Sequence, residues 1–335
     1  MTRHRRGAIA VVMAAALALN VAPAHAYLHL SVTTATGTTA LVWKTPRVRW
    51  YASDRSAEGV TASQFQAEIA KAFSTWEAVP TVSIGFQFVG FTSASPNDED
   101  GLTVLGFDSQ PDLERVLGAT SFVTDDVTGE IVESDVFFNA IFAWSVSASG
   151  DPTRFDLQSV AVHEIGHVLG LGHSAIGETE IRPDGGRRVL ASGAVMFPIS
   201  LGRGAIADRT LQPDDIAGAS DLYPDGGFAS DTGALFGRVL LNGRGVLGAH
   251  VEAFSVATGS IVAGFSLRES GEFQIRGLAP GAYVVRVEPL DDADIESFFS
   301  PSGVDINFRA TFYPRLAVAP AGGASERFDV TVQPK

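Results

Sequence analysis

His163-Glu164-Ile165-Gly166-His167-Val168-Leu169-Gly170-Leu171-Gly172-His173 lies near the middle of the chain, with Ala194-Val195-Met196-Phe197-Pro198 downstream. His163 and His167 are four residues apart, so on a helix both imidazoles occupy one face, about one turn from each other. Two imidazoles so placed can bind a single Zn²⁺ at about 2.0–2.1 Å each. The surrounding residues predict that helix. Asp156 is a candidate N-cap, and Leu157, Val160, Ala161, Val168 and Leu169 supply a broad apolar surface. Gly170 ends it, because a left-handed backbone costs glycine little and turns the chain sharply. The turn brings His173 back as a third ligand. Three protein ligands leave the fourth position for water, the arrangement of a catalytic zinc and not of a structural one.

Glu164, next to the first ligand, points elsewhere, toward the expected position of that water. Zinc lowers the pKa of a bound water to about 7, and a neighbouring carboxylate can take its proton and pass it on. Glu164 is therefore expected to be general base and proton shuttle, not a ligand. Taken alone, the five residues from His163 to His167 could be chance surface residues. The glycine, the third histidine and the methionine-bearing turn together argue against that reading.

The first 26 residues read as a secretory signal peptide: a basic Thr2-Arg3-His4-Arg5-Arg6, an apolar run from Ala8 to Leu19, and Ala24-His25-Ala26 as a small-residue cleavage site. That apolar run is short for a membrane span, and no later stretch is long enough. Export is expected, to the extracellular space or a periplasm. Removing Arg3, Arg5 and Arg6 leaves 21 basic against 38 acidic residues, a formal charge of −17. Such a balance argues against nucleic acid or an anionic membrane as partner. The absence of cysteine excludes a thiolate zinc ligand, a lipid-modified cysteine and a thiol-based inhibitory switch. A monomer is expected.

Before the zinc motif, Leu41 to Trp43, Val48 to Tyr51, Leu102 to Phe107, Gly118 to Val123 and Ile131 to Phe138 are strand candidates, and Val82, Ile84, Phe86 and Phe88 alternate as in a half-buried strand. Thr61 and Gln64 resemble a capping box opening a helix whose Phe65, Ile69, Phe73 and Trp76 face a core. A last helix opens at Gln212-Pro213-Asp214-Asp215, with Ile216, Ala219, Leu222 and Tyr223 as its expected buried face. Residues 225–233, rich in Gly, Asp and Ser, read as a linker. Beyond it come short β runs with turn signals, from Gly237 to Leu241 through to Phe328 to Val332, which predict an all-β sandwich.

The first part resembles the matrixin branch of the metzincin zinc peptidases, the branch that contains the matrix metalloproteinases. The zinc motif carries the resemblance, with Ser174 after the third histidine and the turn Ala194 to Pro198. Leu211-Gln212-Pro213-Asp214-Asp215-Ile216-Ala217-Gly218, ending in Leu222-Tyr223, is similar to the family's C-terminal helix, and Ala72-Phe73-Ser74-Thr75-Trp76 to its first helix. The resemblance covers roughly residues 41–224. It implies an α+β metzincin domain over residues 27–224, with a twisted, mostly parallel sheet and a zinc cleft, hydrolysing protein or peptide substrates. It implies that Met196 lies beneath the three histidines, a role physically close to that of an ordinary core methionine. Asp214 and Asp215 look like the acidic pair that ties the last helix to the methionine turn, with simple helix capping as the alternative. Leu117 to Phe122 aligns with the edge strand on which the family lays substrate. Gly118, Ala119, Thr120, Val195, Pro198 and Ile199 are thus candidate substrate-binding residues.

Three departures from the family pattern stand out. Ile176 to Ser192 is inserted as a polar, Arg-containing loop, Ile199-Ser200 stands where a tyrosine is usual, and no other tyrosine stands near the turn. Histidines for a second, structural zinc are missing: His29 and His250 read as surface residues, so one zinc is expected. Candidate Ca²⁺ ligands are Asp98-Glu99-Asp100, or Asp125-Asp126 with Glu133 and Asp135, with solvated acidic loops as the alternative. Residues 234–335 look like a carboxypeptidase regulatory-like domain, a transthyretin- or Ig-like sandwich, on the strength of Phe236-Gly237-Arg238-Val239, Gly248 to Val251 and Phe273 to Tyr283. The competing expectation is a metal-bound but proteolytically inactive binding or adhesion protein in which that sandwich acts.

Overall fold

The computed structural model describes residues 28–34, 37–125, 127–183, 187–291, 293–299 and 303–335, so the expected leader lies outside the described residues. A hairpin of β1 (Ser31–Thr34) and β2 (Gly37–Ala40) precedes β3 (Arg47–Ser53), α1 (Ala62–Glu77), β4 (Gly85–Thr92), β5 (Thr103–Asp108), β6 (Gly118–Thr124) and β7 (Ile131–Asn139). The last five strands form one sheet in the order β4-β3-β5-β7-β6. Every pairing in it is parallel except that of β6, which runs antiparallel to β7 at the sheet edge. Thr61 and Gln64 close the capping box of α1, Gln64 N donating to Thr61 Oγ1 at 3.2 Å and Thr61 N to Gln64 Oε1 at 3.0 Å. Each is one of the orphan donors that a helix start must satisfy. Phe65, Ile69, Phe73 and Trp76 are all buried, and Trp50–Phe73 and Phe65–Phe107 ring contacts seat α1 on the sheet.

The alternation from Val82 to Phe88 starts a strand later than expected. Ser83 N donates to Tyr223 O and Val82 bridges Pro224, so the backbone there is already committed and β4 begins only at Gly85.

After the short β8 (Trp144–Ser145) and β9 (Phe155–Asp156) comes α2 (Leu157–Val168), the motif helix. The Asp156 carboxylate accepts from Ser159 N at 2.8 Å, as an N-cap, and also pairs with Arg209, whose Nε lies 2.8 Å away. At the other end two aromatic side chains take helix-end carbonyls: Trp43 Nε1 donates to Val168 O and the Tyr223 hydroxyl to Leu169 O. Gly170 then adopts φ +95°, where an added Cβ would lie 2.3 Å from Leu41 O. Only glycine fits that turn.

The segment expected as a polar loop is instead a β-hairpin, β10 (Gly177–Ile181) and β11 (Arg187–Ser192), closed by an Arg188–Glu180 ion pair. Helix α3 (Pro213–Leu222) buries Ala219 and Tyr223 as expected, but Ile216 is 37 % exposed. The buried face is rotated toward Ala217, which joins the core of the C-terminal half. Residues read as a linker contain a helical turn, α4 (Phe228–Asp231), with Phe228 buried.

The remainder is β structure: β12 (Gly233–Leu241), β13 (Arg244–Gly245), β14 (His250–Ser255), β15 (Ile261–Phe265), β16 (Glu272–Leu278), β17 (Gly281–Glu288), the short β18 (Phe308–Arg309), β19 (Thr311–Phe312), β20 (Ala317–Ala319) and β21 (Gly323–Ala324), and β22 (Phe328–Pro334). They form two sheets, one built on β12 and β22, the other on β14 and β17. Leu235, Val239, Phe273, Val285 and Val330 from the two sheets share one core.

Met196 is buried against the motif helix. A Cβ added at Gly166 would lie 2.2 Å from Met196 Sδ and 2.9 Å from Trp76 Cζ2. Gly166→Ala should therefore cost about 1–3 kcal/mol by overpacking. Met196→Ala in the same chain should recover part of that loss, because the two sites then no longer collide. Urea unfolding of the single and double variants measures the coupling, and strict additivity would refute the contact.

Candidate metal centre and cleft

His163, His167 and His173 converge with ring centroids 4.7–5.4 Å apart. Each Nδ1 meets a backbone carbonyl: His163 reaches Val195 O at 2.7 Å, His167 Leu171 O at 2.8 Å and His173 Ser297 O at 2.8 Å. A carbonyl can only accept, so each Nδ1 carries the hydrogen and each Nε2 presents a lone pair. His167 and His173 Nε2 lie 3.2 Å apart. Two nitrogens bound to one tetrahedral zinc at about 2.05 Å would be separated by about 3.3 Å. Burial holds all three imidazoles below their usual pKa, His173 at about 3 and His167 well below the usual value, with the neighbouring imidazoles lowering these two further. They are therefore neutral near pH 7, and the donor set fits zinc.

Glu164 follows the first histidine on α2 and is buried, and its carboxyl is raised to about 7 by loss of water, against the opposing hydrogen bond from Thr120. Thr120 Oγ1 donates to Glu164 Oε2 at 2.8 Å. A Cβ at Gly118 would approach Glu164 Oε1 to 3.3 Å and Phe137 O to 3.1 Å, so β6 passes close to the carboxylate because residue 118 has no side chain. A hydrogen-bonded carboxyl with this proton affinity can exchange a proton near neutral pH.

These groups lie in an open cleft of about 1000 Å³. Gly118, Ala119 and Thr120 of the edge strand line it, as do Val160, Val195, Pro198 and Ile199. Met196 does not line the cleft; it is packed beneath in the core. Asp215 ties α3 to the methionine turn, accepting from Val195 N at 2.9 Å, Met196 N at 3.0 Å and Gln212 N at 2.8 Å. Asp214 has a different role from its neighbour. It accepts from Ala263 N at 2.8 Å and so joins the peptidase-like half to the C-terminal half. Of the arginines in the inserted hairpin, Arg182 and Arg187 line the cleft; Arg188 is paired with Glu180.

Sequence reasoning missed the contribution of distant segments. Leu28, Asp294, Glu296, Ser297 and Phe298 also line the cleft. Nothing local in the sequence signals this, because Ser297 stands 124 positions from the histidine it contacts. His29 and His250, expected at the surface, are both buried. His29 bridges Leu171, beside the metal centre. His250 groups with Glu252 and Glu288, a set that could hold a metal by proximity alone. Arg286, however, pairs with Glu252 at 2.8 Å and Glu288 at 2.5 Å, so a guanidinium already neutralises those carboxylates. Burial would lower the His250 pKa, but its hydrogen bond to Glu288 and the nearby carboxylates hold it above the usual value. That cluster is an ion-pair network.

The Matrixin family model matches residues 42–183, which include all three histidines and Glu164 but neither Met196 nor α3. Metalloendoproteinase 1 of Glycine max is 35% identical over 177 residues, 48% of this chain and 45% of that protein. Metalloendoproteinase 1-MMP of Arabidopsis thaliana is 30% identical over 174 residues, 49% of this chain and 39% of that protein. Metalloendoproteinase 5-MMP of the same plant is 42% identical over a shorter stretch of 73 residues, 21% of this chain and 15% of that protein. The chain thus carries a matrixin-like, matrix-metalloproteinase-like domain, and it spans less than half the length of these relatives. No helix among the described residues is long and apolar enough to cross a membrane.

Of the acidic segments considered for calcium, Asp126 lies outside the described residues, and the Asp125 carboxylate is taken by Val127 N and Thr128 N of its own turn. Glu133 and Asp135 face Asp98 and Asp100. Their carboxylates accept backbone N–H groups, Asp135 from Val104 at 2.7 Å and Glu133 from Gly101. Burial, with the neighbouring acids, raises Asp135 to about 8 and Glu133 above its usual value. A carboxyl with a raised folded-state pKa binds its proton more tightly folded than unfolded, so stability falls as pH rises from the unfolded value toward the folded one. In cation-free buffer the melting temperature should therefore decline between about pH 4 and about pH 8, and Asp135→Asn should flatten that decline. If Ca²⁺ binds there it should flatten it as well, whereas a wild-type slope unchanged by Ca²⁺ would mean that these carboxyls, buried in β7 and not in a solvated loop, take no Ca²⁺.

Proposed function

We propose that this chain is an exported, zinc-dependent endopeptidase acting on protein substrates. The observation that carries the reading is the convergence of three neutral imidazoles and a protonatable glutamate on an open cleft beside an edge strand. The matrixin match and the metalloendoproteinase relatives support it. In this reading residues 1–26 are a leader, 27–224 the peptidase domain, 225–233 a connecting segment and 234–335 a carboxypeptidase regulatory-like sandwich. One zinc is held by the Nε2 atoms of His163, His167 and His173.

When bound, the zinc polarises the scissile carbonyl and lowers the pKa of a water to about 7. Glu164 takes the proton of the attacking water and delivers it to the departing amine. Thr120 fixes Oε2 of that carboxylate, leaving Oε1, on the Gly118 side, for the exchange. An extended peptide lies along Gly118 to Phe122, hydrogen-bonding to the edge of β6 that β7 does not use. Backbone recognition of this kind accepts many sequences, and side-chain pockets then discriminate. Val160, Val195, Pro198 and Ile199 form a mainly apolar wall, which favours an apolar side chain just after the cut bond. Such pockets separate similar side chains by only about 1–3 kcal/mol, so the preference is broad.

Glu164→Gln should retain zinc and lose about 10²–10⁴-fold in kcat. Zinc measured together with cleavage of a general protein substrate, with and without a chelator, tests this. Zinc-loaded wild-type protein that cleaves nothing would support the inactive binding-protein reading instead. Cleavage-site profiling in a peptide library should show an apolar preference at the position following the cut. A clear charged preference there would sink the apolar-wall assignment.

A further inference from the structure

The C-terminal half reaches into the cleft through one segment. The turn Ile295–Ser297 is a single 3-10 element, held by hydrogen bonds from Ser297 N to Asp294 O at 3.0 Å and from Phe298 N to Ile295 O at 2.9 Å. That geometry aims the Ser297 carbonyl at His173 Nδ1, 2.8 Å away. The other two histidines take their acceptors from within residues 163–195, at Val195 and Leu171, so only His173 depends on the distant half.

Phe298 anchors the turn. It is buried, its ring lies 5.8 Å from Phe265 of β15 and 6.3 Å from His173, and it packs with Leu28, Ala175 and Leu290. Ala293 O, just before the turn, accepts from Arg187 Nη2 of the inserted hairpin at 3.0 Å. The exposed carboxylates of Asp294 and Glu296 lie on the cleft wall.

We propose that the segment Asp294–Phe298 of the C-terminal half is a working part of the active site: Ser297 O positions His173 for the metal. This rests on the zinc-peptidase reading above. A ligating imidazole needs its second nitrogen engaged, because that bond fixes the tautomer, sets the ring orientation and raises the basicity of the ligating nitrogen. The C-terminal half is accordingly a positioning element and not a detachable binding module.

The test uses the full chain. Zinc affinity is measured by competition with a chelator, and ligand geometry by the visible spectrum of the Co²⁺-substituted protein. Phe298→Ala frees the turn and should weaken metal retention by about 10–100-fold and alter the Co²⁺ spectrum, while Phe298→Leu, which keeps the buried anchor, should restore both. Ser297→Pro removes the N–H that shapes the turn without emptying the core, so it gives an independent reading if Phe298→Ala does not fold. A lowered melting temperature with unchanged zinc affinity and spectrum in both variants would mean a purely structural contact and overturn the positioning role.

Failure of the peptidase reading looks different. Wild-type protein that binds zinc but cleaves nothing would still lose zinc on Phe298→Ala, whereas wild type that binds no zinc overturns both.

Discussion

Three half-buried imidazoles can serve one metal only if every Nδ1–H has somewhere to go, and each of the three finds a backbone carbonyl. An unpaired N–H buried in the same place would cost on the order of 1–3 kcal/mol and leave the ring free to turn. Much of the architecture follows from supplying those carbonyls. Leu171 O is delivered by the glycine turn that ends α2, which works only because residue 170 can sit at positive φ against Leu41 O. Val195 O is delivered by the methionine turn, whose adjacent N–H groups are gathered by the Asp215 carboxylate and whose Met196 O accepts from Ser174 N. Ser297 O arrives from the other half of the molecule.

Each delivery is stabilised by packing. The motif helix lies in the core of the first half, with Leu157, Val162, Ile165 and Leu169 fully buried, and it is held at its ends by the Asp156–Arg209 pair, Trp43 and Tyr223. The N-terminal segment adds a strap. Leu30 N donates to Gly170 O, and Gly172 N donates to Leu28 O, so the loop that carries His173 is clamped by backbone on one side and by Phe298 on the other. Gly172 has no side chain because a Cβ there would meet Leu28 O at 2.6 Å.

What was legible in the sequence is what depends on local pattern. Capping residues, the apolar stripe of α1, the strand-like stretches of β5 to β7 and the spacing of the three histidines are all short-range signals, and the elements they predict are present. The misplacements of Ile216 and His250 share one cause, which is competition from partners far away in the chain. Ile216 has the spacing of a buried residue, yet α3 rotates so that Ala217 meets the C-terminal core and Asp214 meets β15. His250 looked like a stray surface residue because its partners Glu252, Arg286 and Glu288 come together only once β14 and β17 pair. The polarity of the inserted segment predicts a loop, but its residues pair locally across a hairpin whose flanking Ile176 and Ala194 pack on Ala263.

The same contrast separates the two parts of the site. The three converging imidazoles and Glu164 lie within eleven consecutive residues and could be read directly, since the spacing of a helix turn and a glycine turn is enough to bring them together. Selectivity is a property of the walls, and these come from β6, the methionine turn, the inserted hairpin and the turn at 295–297, all of which lie outside the motif. A wall assembled from both halves also constrains how the chain can change. Of the contacts between the halves, Arg187 to Ala293 and Phe298 to His173 lie at the cleft, whereas Asp214 to β15 and the Asp221–Arg276 ion pair join α3 to the C-terminal sheets. A substitution that loosens the contacts at the cleft therefore also disturbs His173. Because Ala293 and Phe298 flank one short turn, changes at these two contacts should couple and not add.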